Sequence, residues 1–167
     1  MRPAERAVQA AVIDSLFVRD TTRGVVVGDS TISGGTHFLH EDYRSALRML
    51  GRLPAGLQAD FEVVREQRRA VDSLRTKVPV IRLDAATRAS LRTDRDPGAF
   101  WQTFYRRFPG TPGWVELSRA GFSTDGSSAL MLVEYACGFL CGGTLYVVVE
   151  RRAGTWRVTH VEQPRIS

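Results

Sequence analysis

The sequence predicts an α+β fold, in which N-terminal helices pack on an antiparallel β-sheet that ends in a C-terminal four-strand meander. Apolar residues recur at helical spacing through the first half of the chain. The last third instead reads as strands joined by short connections, and Asp125-Gly126 and Ala153-Gly154 supply the turn chemistry of tight hairpins. At 167 residues, with 43% hydrophobic and 25% charged side chains, the chain is sized and composed for one globular domain over residues 1–167.

The first helix is expected over residues 4–18, where Val8, Ala11, Val12, Ser15 and Leu16 follow one face and Pro3 suits the first turn. Val25-Val26-Val27 is a short β-branched run, read as a buried strand that ends in the polar loop from Gly28 to Thr36. Tyr43, Ala46, Leu47 and Leu50 give a second helix, with Gly51 as its C-cap and Pro54 closing it off. Leu57, Phe61, Val64 and Val71 suggest a third, with Arg65, Arg68 and Arg69 on its solvated side. Residues 78–83 form an edge strand, because Pro79 lacks the N–H that a central strand must donate. Asp96-Pro97-Gly98 starts a helix carrying Phe100, Trp101, Phe104, Tyr105 and Phe108, expected to pack on the C-terminal strands at 114–123, 127–137, 143–152 and 155–163. The two middle strands are apolar at nearly every position and are covered on both faces. The last one alternates, with Trp156 and Val158 opposite Arg157 and Thr159.

Three features bear on chemistry. Cys137 and Cys141 flank Gly138-Phe139-Leu140, and residues flanking such a hairpin loop face each other about 4.5–5.5 Å apart between Cα atoms, within disulfide reach. A bridge over so small a loop would contribute roughly 2 kcal/mol and pin the turn; in a reducing cytosol it would stay open. Two buried thiols are the alternative. A zinc site needs about four ligands, and a redox dithiol places its cysteines at a helix N-terminus, so neither metal nor cofactor is expected here. The Phe139-Leu140 tip is the candidate binding turn, its alternative being to fold back onto the sheet.

Val25-Val26-Val27-Gly28-Asp29-Ser30 resembles the first block of the SGNH (GDSL-type) hydrolases, and the resemblance implies Ser30 as nucleophile. The chain contains no asparagine for that family's Gly-x-Asn-Asp block, and no Asp-x-x-His precedes the C-terminus. The third feature is Thr36-His37-Phe38-Leu39-His40-Glu41-Asp42, whose polar residues read as a first helical turn favoured by the helix dipole rather than as a metal site.

The net charge of +5 is concentrated in Arg65 to Arg95, with nine basic and four acidic residues. An anion-binding or nucleic-acid-binding module would use this segment. It holds no aromatic residue to stack on a base, so nucleic acid is not the expected partner and a solvated, salt-bridged face is. No apolar run reaches the ~20 residues of a membrane span, since Asp14 interrupts the best candidate. That stretch also lacks the uninterrupted core and cleavage site of a secretory signal. The setting is exported, in periplasm or envelope, if the chain is a processed form, and cytoplasmic otherwise.

Gly121-Phe122, the run at 129–135, Cys137-Gly138, Cys141-Gly142-Gly143, the run at 146–150 and Gly154-x-Trp156-x-Val158 resemble a recurrent C-terminal pattern of uncharacterised, often exported bacterial proteins. The resemblance implies a disulfide and an exported setting and carries no activity. The expected role is a small non-catalytic, exported or envelope-associated domain that binds a protein or small ligand. A serine hydrolase using Ser30 and an anion-binding module through Arg65 to Arg95 are the alternatives.

Overall fold

A computed structural model describes residues 3–33, 40–71, 73–91 and 97–166. The run from Thr36 to Leu39 and the helix start at Asp96 lie outside these residues, as do the side chains of His40, Glu41 and Asp42.

Five helices and seven strands are described: α1 (Pro3–Leu16), β1 (Val25–Gly28), α2 (His40–Leu50), α3 (Leu57–Val64), β2 (Val80–Leu83), α4 (Ala85–Leu91), α5 (Pro97–Arg107), β3 (Trp114–Leu117), β4 (Gly121–Phe122), β5 (Ser128–Gly138), β6 (Cys141–Arg152) and β7 (Thr155–Ile166). The sheet runs β2-β1-β3-β5-β6-β7, with β4 beside β5. The meander β3-β5-β6-β7 is antiparallel, as expected, and the fold is α+β. The other part of the sheet departs from expectation, because β1 pairs in parallel with both β2 and β3. Parallel neighbours need crossover connections, and α2–α3 and α4–α5 supply them. Strand β2 is outermost, as Pro79 requires; the Pro79 carbonyl accepts the Val25 N–H at 3.0 Å.

The pleat sorts the core into three clusters. On one face Val25, Val27, Val115, Leu117, Met131, Val133, Val147 and Val149 meet Val8, Val12 and Ile13 of α1. On the other face Leu130, Leu132, Tyr146 and Val148 lie under α2 and α3, while Val26, Leu83 and Trp114 lie under α4 and α5. The aromatic helix α5 therefore packs on the parallel strands and on the meander strands β3 and β5, its Tyr105 hydroxyl donating to the Cys137 carbonyl. Trp101 stacks on Trp114 with centroids 5.2 Å apart.

Three details of the helices correct the sequence reading. Ser15 is exposed, and the buried face of α1 instead includes Glu5 and Gln9. Helix α3 stops at Val64 because the chain beyond it is captured by the loop after β1: Thr31 N–H donates to the Arg69 carbonyl at 2.7 Å and Val71 N–H to the Asp29 carbonyl at 2.8 Å. Val71 thus belongs to the α1 cluster and not to the α3 face. Helix α4 was not anticipated, although Asp84 caps it, its Oδ1 accepting the Thr87 N–H at 2.6 Å. Gly51 ends α2 with φ of 70°, the positive value a C-terminal glycine supplies.

Candidate ligand-binding cleft

Successive side chains of a strand point to opposite faces, so the residues two apart from the second face's apolar positions share that face. On β3 this places Glu116 beside Trp114, on β5 Glu134 beyond Leu132, and on β6 Thr144 before Tyr146. Glu116 is the cross-strand partner of Glu134, and Glu134 of Thr144. Gly28 ends β1 against Glu116: a Cβ there would lie 3.5 Å from Glu116 Cγ. A polar row, Gly28–Glu116–Glu134–Thr144, thus crosses the sheet between the apolar surface covered by α4–α5 and that covered by α2–α3.

Above its Gly28 end opens a cleft of about 380 Å³, lined by Ser30, Arg68, Leu83, Arg88 and Glu116 among others. It lies at the carboxyl ends of parallel strands, where α/β sheets characteristically take ligands. The wall formed by residues 29–32 is fixed on both sides. Beyond the two bonds to Arg69 and Val71, Asp29 N–H donates to the Leu83 carbonyl at 3.3 Å and Ile32 N–H to the Leu117 carbonyl at 3.0 Å. The Thr31 hydroxyl accepts the Arg69 N–H at 2.9 Å.

The row's electrostatics are uneven. Arg88 Nη2 lies 2.6 Å from Glu116 Oε1, with its guanidinium 5.7 Å from the Trp114 ring centroid, so Glu116 is paired with a cation. Glu134 has no such partner among the described residues. Its Oε1 is buried and accepts no hydrogen bond among the described residues. Burial, and secondarily the negative charge of Glu116, push its pKa from 4.5 up to about 7, with Arg88 offsetting part of the shift.

A carboxyl whose folded-state pKa exceeds its unfolded value binds its proton more tightly when folded. The folded state is therefore favoured most below about 4.5 and loses that advantage as pH rises to about 7. Replacing Glu134 by glutamine removes both the buried charge and its repulsion by Glu116. The Glu134→Gln variant is expected to match wild type near pH 4 and to melt higher at pH 8; thermal scans over that range would refute this if the two curves stayed parallel.

The sequence-predicted candidates are distributed differently. Ser30 lines the cleft, but His160, the one histidine whose side chain is described, lies on β7 and sits 2.7 Å from Glu162 Oε1. Three strands separate β7 from β1, so His160 is not the base for Ser30. The Arg65 to Arg95 cations do not form one patch. Arg65 lies over the Tyr43 ring at 4.4 Å, Arg82 donates to the Val71 carbonyl, Arg68 and Arg88 line the cleft, and Arg75 and Lys77 line a groove beside α1. Arg92 and Arg95 lie outside the described residues.

Cys137 and Cys141 stand at disulfide distance, their Cα atoms 5.1 Å apart. The connection is tighter than the expected three-residue loop, because Gly138 pairs with Cys141 and leaves only Phe139 and Leu140 in the turn. The register shifts between Ala136 and Gly138, so Cys137 is the extra residue of a bulge. Its carbonyl accepts the Tyr105 hydroxyl at 2.8 Å. Phe139 and Leu140 do not fold back; they are 70% and 81% exposed.

No family model, curated protein or solved structure matches the chain. Among the described residues no helix is long and apolar enough to cross a membrane, and no group of three or more His, Cys, Asp or Glu side chains is placed to hold a metal ion.

Proposed function

We propose that this protein is a non-catalytic, exported or envelope-associated binding domain whose ligand is a small polar molecule held in the cleft above Gly28. The observation that carries this reading is the cleft at the carboxyl ends of β1 and β2, lined by Ser30, Arg68 and the Arg88–Glu116 pair. The clamped wall at 29–32 is preorganised, so little ordering accompanies binding. The cleft's volume lies within the roughly 300–1,000 Å³ of small-molecule sites. Cysteines at disulfide distance in a hairpin suit an oxidising compartment.

Gly28 provides the test, since a strand residue with space above it tolerates a side chain. A Cβ there makes only ordinary contacts, at 3.5–3.6 Å. Small hydroxy and amino compounds would be screened by ligand-detected NMR against wild type and a folded Gly28→Val variant. Compounds that bind wild type and weaken at least ~10-fold against the variant support the cleft. Equal binding to both, or no binding to wild type, would rule it out.

The exposed Phe139-Leu140 tip favours a second contact, with a protein partner. Because both side chains stand in solvent, Phe139→Ser/Leu140→Ser should change folding stability by no more than about 0.5 kcal/mol per site. A core-sized loss in a denaturant titration would reassign the tip to the fold.

A further inference from the structure

Strand β7 ends the strand order, so no other strand pairs with its outer edge among the described residues. The Ala153-Gly154 turn has positive φ at both residues, as a two-residue hairpin turn requires, and Arg152 pairs with Thr155. Residues flanking such a turn form a hydrogen-bonded pair. Alternation along the ladder then directs the N–H and C=O of Trp156 outward.

That stretch of edge borders a groove of about 790 Å³ between α1 and the start of β7. Arg6 and Asp14 come to it from α1, Arg75 and Lys77 from the segment before β2, and Trp156 and Arg157 from β7. Among the described residues the groove is thus lined by four cations, from three parts of the chain, and by one carboxylate. Asp14 is already engaged, its Oδ1 accepting the Lys77 backbone N–H at 2.8 Å.

We propose that this groove and the β7 edge together form a docking site for an extended acidic peptide segment, which adds as a strand outside Trp156 while the carboxylates on its groove-facing side meet Arg75 and Lys77. Backbone pairing supplies the affinity and alternate side chains the selectivity in this mode of recognition. Basic residues on a sheet edge ordinarily repel further strands. Here the same charge makes the edge selective, because only a strand that brings negative charge relieves it. The occupant is a peptide rather than a single-stranded nucleic acid because the half-buried Trp156 ring packs edge-on with Phe122, centroids 5.9 Å apart, and offers no free platform for a base. A flat lipid surface does not fit into a groove.

The probe is a capped, fluorescein-labelled peptide of about eight residues alternating Glu and Thr, titrated into the full chain and followed by anisotropy. Binding should weaken at least ~10-fold between about 50 and about 300 mM NaCl, as for contacts between exposed charges. The same peptide with alternate backbone N-methyl groups keeps its charge but cannot pair as a strand. It should bind at least ~10-fold more weakly. A similar loss is expected for Arg75→Glu/Lys77→Glu. Absence of binding at low salt, equal binding of the N-methylated peptide, or stronger competition by oligothymidylate or by anionic phospholipid vesicles would each overturn the proposal. The N-methyl arm needs no protein variant, so it decides the matter even if the charge-reversed chain folds poorly. Nothing in this test depends on the cleft above Gly28.

Discussion

Replacing Glu5 by alanine is expected to remove about 3–5 kcal/mol of folding stability, the usual effect of stranding one partner of a buried ion pair. Glu5 is fully buried, and both its oxygens lie 3.1 Å from Arg119, one from Nε and one from Nη2. Its Oε1 also accepts the Ala120 N–H at 3.2 Å, while Arg119 donates onward to Gln67 Oε1. The Glu5–Arg119 pair thus ties α1, the β3–β4 connection and the segment after α3 together. With Glu5 gone, Arg119 keeps its charge in a dry site. For a chain of this length the loss would lower the melting temperature by roughly 10 °C. Removing the charges together in Glu5→Leu/Arg119→Met should restore most of the loss, since a well-packed apolar pair is often as stable as the ion pair it replaces. Urea titrations of the single and double variants check both statements, and a Glu5→Ala midpoint equal to wild type would refute the first.

Gly113→Ala is expected to cost about 3 kcal/mol, from two sources that a control can separate. Gly113 has φ of 108°, a conformation that L side chains rarely adopt, and it lies against the bulge at Cys137. A Cβ there would overlap the Ala136 carbonyl oxygen and come within 2.9 Å of the Cys137 Cα, and neither backbone atom can rotate away. Gly126 also has positive φ, at 68°, but its Cβ would meet nothing within 4 Å. Gly126→Ala therefore bears conformational strain alone and should cost about 1 kcal/mol. Equal losses for the two variants in denaturant titrations would show that the clash at Gly113 relaxes.

The meander was legible because its information is local. Asp125-Gly126 and Ala153-Gly154 mark turns within a few residues of the strands they join, and alternation assigns Trp156 and Val158 to one face without knowledge of anything distant. The parallel part was not legible. Val26 has Ile81 and Trp114 as neighbours, and nothing in Val25-Val26-Val27 states which later segments flank it. The same limit hid the candidate site. Glu116 and Glu134 each read as an isolated acid in an apolar strand, and only the register that opposes them makes a row. An acid interrupting a run as apolar as residues 129–135 was the one available signal. Helix α3 was overextended for a related reason: Val71 keeps helical spacing with Val64 by coincidence, while its backbone is held by a loop forty residues earlier in the chain. The disulfide-distance cysteines were recovered because a separation of four residues keeps them close across any tight turn, although the turn is one residue shorter than expected and Cys137 is bulged.

The insertion of β1 between β2 and β3 also governs the order in which the molecule can be built. β1 is synthesised early, yet both strands that complete its backbone pairing come later, and the second lies beyond α5. During translation one edge of β1 waits for β2, and the other has no in-sheet partner until Trp114 has left the ribosome. Distant pairings of this kind slow folding. The C-terminal hairpins, whose partners are adjacent in sequence, assemble locally and provide the surface on which that early strand is finally seated.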